Sequence, residues 1–346
     1  MDLSIAGVLL VDEITSGAIY ALLGLAIVLV FAVTRVIFIP QGEFVAYGAL
    51  TLAILQTGAV PGTVWLLLLL AVVAAVMDAG AAWQRHRRVG PVAKAAARTL
   101  LVPLLLSAVT VWAAPHRFAM PVQMLLALGL VTAFGPLVYR VAFQSLADAS
   151  TLVLLIVSVG VHFAMTGLAL VFFGAEGFRN PSFWDLRLQL GAITLTGQAI
   201  TVVVASAGLI VLLWLFFERT LYGKALRATA VNRLGARLMG ISAHAAGRWS
   251  FAMAALIGAL SGLLIGPTTT VFYDSGFLIG LKGFVAAVIG GLASYPATAV
   301  GALFVGIVES FGAFWASAFK EVIVFTLVLP ILFWLSLTDR HADEEH

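Results

Sequence analysis

Uninterrupted apolar runs recur along this chain from end to end, and they restrict it to folds that live in lipid. A segment crossing the hydrocarbon core needs about 20 mostly apolar residues, with every backbone polar group satisfied internally. Reading the runs between charges and Pro or Gly breaks places spans near 14–34, 43–58, 62–78, 99–114, 120–138, 151–173, 193–217, 249–271, 277–292, 298–316 and 319–337. The alternating pattern of a membrane barrel is absent, so the expected fold is an all-α, polytopic transmembrane helical bundle of about 11 spans. Composition agrees: 62% of the residues are hydrophobic, 10% are charged and the mean hydropathy is +1.10. A soluble domain holds about half apolar and a quarter charged residues.

Lysine and arginine in short loops stay on the cytoplasmic side. With the N-terminus outside, the inner loops collect 14 of the 19 basic residues, from Arg35, Arg85, Arg87, Arg88, Lys94, Arg98 and Arg140 to Arg248 and Arg340. Arg117, Arg179, Arg187, Lys282 and Lys320 remain outside. This split puts the tail "DRHADEEH" inside. Between the third and fourth spans, "WQRHRRVGPVAKAAAR" reads as a topogenic loop facing lipid phosphates. Asp2, Asp12 and Glu13 near the start do not fit a cleavable signal peptide.

Several chemistries fall away. There is no cysteine, so disulfides, thiolate metal sites and a cysteine nucleophile are excluded. His86, His116, His162 and His244 are scattered without metal spacing and read as loop or bundle residues. No Gly-x-Ser-x-Gly turn, His-Glu-x-x-His helix or Gly-x-x-x-x-Gly-Lys-Ser/Thr loop occurs, so nothing here cradles ATP phosphates by the P-loop route.

One segment is polar and yet helix-forming: "LYGKALRATAVNRLGARLMGI", Leu221 to Ile241. Lys224, Arg227 and Arg233 would cost about 2.5–3.5 kcal/mol each at the bilayer centre, so the segment belongs in the cytoplasm, parallel to the membrane surface. Leu226, Ala230, Leu234 and Leu238 recur every four residues beside a polar face with Arg227, Asn232, Arg233 and Arg237, which predicts one amphipathic helix. Such a helix lies on headgroups or docks a cytosolic partner.

Within the spans the polar residues are few. Glu43, after Gln41 and Gly42, is either a pathway group or a solvated charge at a helix start. Glu309 lies mid-span with no cation four residues away, so it is hydrogen-bonded inside the bundle or faces a polar cavity. Lys282 either snorkels outward or meets substrate. Gly290 and Gly291, with Gly258 and Gly262, suit close helix approach or backbone contact with cargo. "GEFVAYGALTL" (Gly42 to Leu52) and "KGFVAAVIGGL" (Lys282 to Leu292) share a Phe-Val-Ala core on spans of opposite direction. That echo reads as an inverted repeat around a midplane path, or as shared use of common membrane residues.

The polar segment together with "FAMAALIGALSGLLIG" (Phe251 to Gly266) resembles the coupling loop and following span of permease subunits of bacterial ABC importers, of the branched-chain amino acid and amide type. "GLKGFVAAVIGGLASYPATAVGALFVGIVES" resembles another segment of that family through Lys282, Phe284, Ala286, Gly290, Gly291, Ser294, Pro296 and Ala299, the family's final alanine aligning nearer Ala297. "SGAIYALLGLAIVLVFAVTRVIFIPQGEFVAYGA" resembles its opening span and the following Asn-Phe-Ala-His-Gly-Glu turn. Here Phe38, Ile39, Pro40 and Gln41 replace the first four residues of that turn, with Gly42 and Glu43 kept, so the substrate can differ from a branched-chain amino acid. Three spans also stand between about 62 and 138 where the family has one.

The resemblance implies a single integral permease domain over 1–346, with an inserted basic loop and helical hairpin at 79–138 and a cytoplasmic coupling loop at 218–248. It implies ATPase coupling through Lys224, Arg227, Asn232, Arg233, Ala236, Gly240 and Ile241, and a pathway beside Gln41, Gly42, Glu43, Lys282, Gly290 and Gly291. The implied setting is the bacterial inner membrane, with two ABC ATPase subunits, a second related permease and a periplasmic or lipid-anchored substrate-binding protein as partners. No enzyme activity, cofactor, metal or nucleic acid is expected on this chain, ATP and Mg being bound by the ATPases. The implied cargo is an amino acid, amide or related small carboxylate solute. Two rivals stay open: an ion-coupled secondary transporter using Glu43, Glu309 and Lys282, and a sugar-type ABC permease.

Overall fold

The computed structural model describes residues 3–87, 89–184, 186–190, 193–327, 329–331 and 333; Asp2, Arg88, Arg340, most of the end of the 319–337 segment and the C-terminal tail lie outside the described residues. The chain is an all-α polytopic membrane protein. Among the described residues eight helices are long and apolar enough to cross a membrane, and Ser275–Ile289 is a shorter apolar helix.

Helix α1 (Leu3–Thr34) ends at Arg35, whose φ of 62° turns the backbone left-handed. Pro40 then precedes α2 (Gln41–Thr57), a 17-residue helix buried along most of its length. Gly58, at φ 84°, stops α2, and Pro61 opens α3 (Gly62–His86). Helix α4 (Val89–Ala113) follows after a turn at Arg87, so the basic stretch expected as a loop is mostly two helix ends. Its Ala and Arg residues favour helix, and no glycine or proline interrupts the run before Arg87.

Helices α5 (Met120–Val138, continued by a π turn to Phe143), α6 (Thr151–Phe173) and α7 (Gly197–Arg219) complete the first two-thirds of the chain. An antiparallel hairpin, Arg187–Leu190 with Ile193–Thr196, precedes α7, where the sequence suggested that the span already begins at 193. Beyond it lie α8 (Leu221–Val231), α9 (Arg233–Leu238), α10 (Ala243–Ile265), α11 (Ser275–Ile289), α12 (Tyr295–Ala316) and α13 (Lys320–Thr326).

Ser150, Thr196, Thr220, Asn232, Ser242 and Ser294 cap α6, α7, α8, α9, α10 and α12, each side-chain oxygen accepting from a backbone N–H of the first turn. Helices α2 and α11 have no side-chain cap. Helix α2 starts inside the bundle, with Gln41, Gly42 and Glu43 buried, whereas Asp274 before α11 is exposed. Gln41 donates from Nε2 to the carbonyl of Ala254, the midpoint of the 23-residue α10.

Glycine makes that interior start possible. A Cβ on Gly42 would stand 1.8 Å from the Gly276 carbonyl oxygen and one on Gly280 2.7 Å from the Gly42 Cα, so α2 and α11 touch backbone to backbone near their N-terminal ends. Gly262 meets the Val45 carbonyl and Gly48 that of Ala259 in the same way, locking α2 against α10. Phe38 is buried among the rings of Phe44, Phe143 and Phe251, with the Phe251 ring 4.8 Å away. An apolar anchor thus fills the place of the first polar residue of the resembled turn.

Candidate functional site

Two polar clusters lie inside the bundle, on either side of α11. In the first, Glu43 is fully buried and its Oε1 lies 3.0 Å from Nδ1 of His162, the midpoint of the 23-residue α6. Thr166, one turn on, donates to the His162 carbonyl at 3.0 Å and stands 3.5 Å from Nδ1. The Phe277 ring of α11 covers the imidazole, 4.7 Å between centroids. Glu43 Oε2 and Gln41 Oε1 are buried without a hydrogen-bond partner among the described residues. Glu43 is therefore not a solvated charge at the membrane edge; it sits level with the middles of α6 and α10.

In the second cluster Lys282 is 5% exposed and does not snorkel. Its Nζ lies 2.5 Å from Glu309 Oε1 and 3.2 Å from Glu321 Oε1, while the Tyr20 hydroxyl donates to Glu309 Oε2 at 2.6 Å. An ammonium and two carboxylates thus tie α11 to α12, α13 and, through Tyr20, α1. The expected bonding of Glu309 inside the bundle is what occurs, with a cation 27 residues away instead of four. Lys282 is spent on this cluster, not on Glu43. Gly290 and Gly291 form the turn after α11, where Gly291 has φ 65° and a Cβ on Gly290 would stand 2.1 Å from Thr298 Oγ1. They are not brought beside Gln41 and Glu43.

The polar segment is two helices, not one. Asn232 leaves helical geometry and its Oδ1 accepts from the Gly235 N–H at 2.8 Å, starting α9 afresh. Asparagine prefers helix starts to helix interiors, and that preference outweighs the four-residue apolar spacing here. The apolar stripe divides accordingly: Leu226 is buried against Leu29, Val33 and Ala246, while Leu234 and Leu238 face outward. Gly240, at φ 84°, closes α9 with the Ile241 N–H bonded to the Ala236 carbonyl and its own N–H to that of Arg237.

Arg227, Arg233 and Arg237 each reach a neighbouring element. Arg227 donates to Glu218 at 2.5 Å and to the Phe217 carbonyl, a pairing that raises its pKa further. Arg233 donates to the Ala147 carbonyl at 2.9 Å, Arg237 lies 3.5 Å from Asp148, and Ala236 is buried. Lys224 is exposed. Helix α9 is thereby pinned from behind, and Val231, Leu234, Leu238 and Met239 stand 69–87% exposed on the other side.

A multi-pass helical membrane protein with short buried helices, interior charge and a structured polar loop has the anatomy of a solute permease. The family described as "Branched-chain amino acid transport system / permease component" matches residues 95–335, and the chain belongs to that family. It is 28% identical over 236 residues to the high-affinity branched-chain amino acid transport system permease protein BraD of Pseudomonas aeruginosa, covering 65% of this chain and 77% of BraD. The corresponding protein LivH of Escherichia coli K12 is 28% identical over 214 residues, covering 60% of this chain and 69% of LivH.

Proposed function

We propose that this chain is a transmembrane subunit of an ATP-driven ABC importer in a bacterial inner membrane, working by alternating access. The observation that carries this reading is the outward apolar face of α9, with Leu234, Leu238 and Met239 at 69%, 81% and 83% exposure on a helix held from behind by Arg233 and Arg237. A rigid apolar knob beside basic side chains suits a groove in a cytosolic protein, and exposed apolar clusters of this kind mark interaction sites. Two ATPase subunits, which bind ATP and Mg, press on the 218–248 loop. This chain supplies no nucleotide chemistry. A second, related permease and a periplasmic or lipid-anchored binding protein complete the assembly.

The whole chain forms one integral domain of about 11 spans, N-terminus outside and C-terminus inside, with 79–138 as an insertion. The path runs beside Gln41, Gly42 and Glu43, at the level where α2 and α11 begin. Short, interrupted segments in corresponding positions of two repeats point to a transport path, and the echo between Gly42–Leu52 and Lys282–Leu292 fits such a pair. The family's cargo and the unpaired Glu43 Oε2, which suits the ammonium of an amino acid, favour an amino acid as cargo; amides and related small carboxylate solutes rest on the resemblance alone.

Co-purification of the chain with its ATPases, followed by ATP-dependent uptake in proteoliposomes, tests the reading. Leu238→Asp is expected to abolish both while leaving membrane insertion intact. Retention of coupled uptake by that variant would sink the docking role.

A further inference from the structure

The inserted hairpin builds a site that the transport reading does not use. A cavity of about 850 Å3 opens between α3, α4 and α5, at the end of the bundle where Ala147 and Asp148 pin α9. Five cations line it, Arg85, Lys94, Arg98, Arg140 and Arg248, against the single carboxylate of Asp78. Asp78 is already satisfied: Arg140 Nε lies 2.6 Å from one oxygen and the Thr99 hydroxyl donates to the other at 2.6 Å. The remaining four cations form no ion pair among the described residues.

Four like charges facing one cleft focus a positive potential into it and favour an anion there. The volume suits a small-molecule headgroup, since ligand sites run to about 300–1,000 Å3. The walls continue into Val102, Pro103 and Leu137, and α4 is exposed at Leu101, Val102 and Leu105 beside the opening. A free phosphate has no use for that apolar flank. An acyl chain does.

The geometry points to a binding site for an anionic phospholipid, its phosphates held by Arg85, Lys94, Arg98 and Arg248 and its chains lying along α4. Four uncompensated cations match a headgroup with two phosphates better than one with a single phosphate. Basic pockets between membrane helices on the cytoplasmic side hold headgroups of this class. The hairpin then serves as a lipid-holding clamp next to the loop that carries α9.

The delipidated full-length chain in detergent, titrated separately with cardiolipin, phosphatidylglycerol, phosphatidylcholine and inorganic pyrophosphate and read by native mass spectrometry, tests the site. The readout needs no ATPase, so it fails independently of the importer reading. Cardiolipin is expected to bind tightest. Lys94→Gln with Arg98→Gln is expected to weaken it about 30-fold, at about 1 kcal/mol per cation. Both residues are exposed and, among the described residues, make no ion pair or side-chain hydrogen bond, so the pair should leave the fold intact. Arg98→Lys should keep most of the binding, and Arg219→Gln, outside the cavity, should keep all of it. Equal retention of phosphatidylcholine, an unchanged cardiolipin affinity in the double variant, or pyrophosphate binding as tightly as cardiolipin would each overturn the lipid assignment.

Discussion

Glu43 on α2 and His162 on α6 are separated by 119 residues and meet at 3.0 Å, with Phe277 of α11 closing over the imidazole. The resembled turn carries its histidine two residues before the glutamate. In this chain that position is Gln41, which holds α10 through the Ala254 carbonyl, and the imidazole arrives from another helix. The contact between this carboxylate and ring fastens α2 to α6.

If the pair acts as one unit on the pathway, its two members should not contribute additively. His162→Ala and Glu43→Gln are each expected to lower uptake about tenfold or more, and the double variant to fall no further than the worse single one. Uptake rates in proteoliposomes holding the assembled transporter measure this. Additive losses would show two independent roles.

The buried Lys282 predicts an asymmetric stability response. Lys282→Met leaves Glu309 with no cation, and breaking one side of a buried pair costs about 3–5 kcal/mol. Adding Glu309→Leu removes that stranded charge and leaves only Glu321, 32% exposed at its side chain, without its cation. The double variant should therefore unfold at a higher temperature than Lys282→Met alone. Thermal unfolding of the detergent-solubilised chain decides the order.

The helical architecture was legible because lipid imposes a length and a composition on each spanning segment. Turns were legible wherever glycine or proline marked them, as at Gly58 and Pro61. The interior start of α2 was not, because it depends on Gly42 finding Gly276 and Gly280 across more than 200 residues of sequence. The Lys282–Glu309 and Glu43–His162 contacts were hidden for the same reason: helical periodicity reports neighbours at four residues, not at 27 or 119. In the polar segment, spacing suggested one helix, and the capping chemistry of Asn232 overrode it.

The α2–α11 contact separates two kinds of glycine. Gly42→Ala sets a Cβ against backbone that cannot rotate away, and forcing the helices apart costs about 1–3 kcal/mol or more. Gly208 on α7 has nothing within 4 Å of such a Cβ, so Gly208→Ala should be neutral or stabilise by up to about 1 kcal/mol. Midpoints of thermal unfolding for the two variants should move in opposite directions or differ by several degrees. Equal midpoints would mean that α2 and α11 do not touch as described.

On α9 the apolar and polar positions differ in kind and not in degree. Leu234 and Leu238 face outward, whereas Arg233 and Asn232 hold the helix in place through the Ala147 carbonyl and the Gly235 N–H. Leu234→Asp should therefore remove the docking contact without loosening the loop. Asn232→Ala should instead fray α9, losing about 1 kcal/mol of cap, and weaken docking only in part. Limited proteolysis separates the two: cutting between 231 and 241 should rise for Asn232→Ala and stay unchanged for Leu234→Asp, while ATPase co-purification should fall further for Leu234→Asp. The opposite ranking would place the recognition surface on the arginine side of the helix, and the apolar face would then rest against lipid.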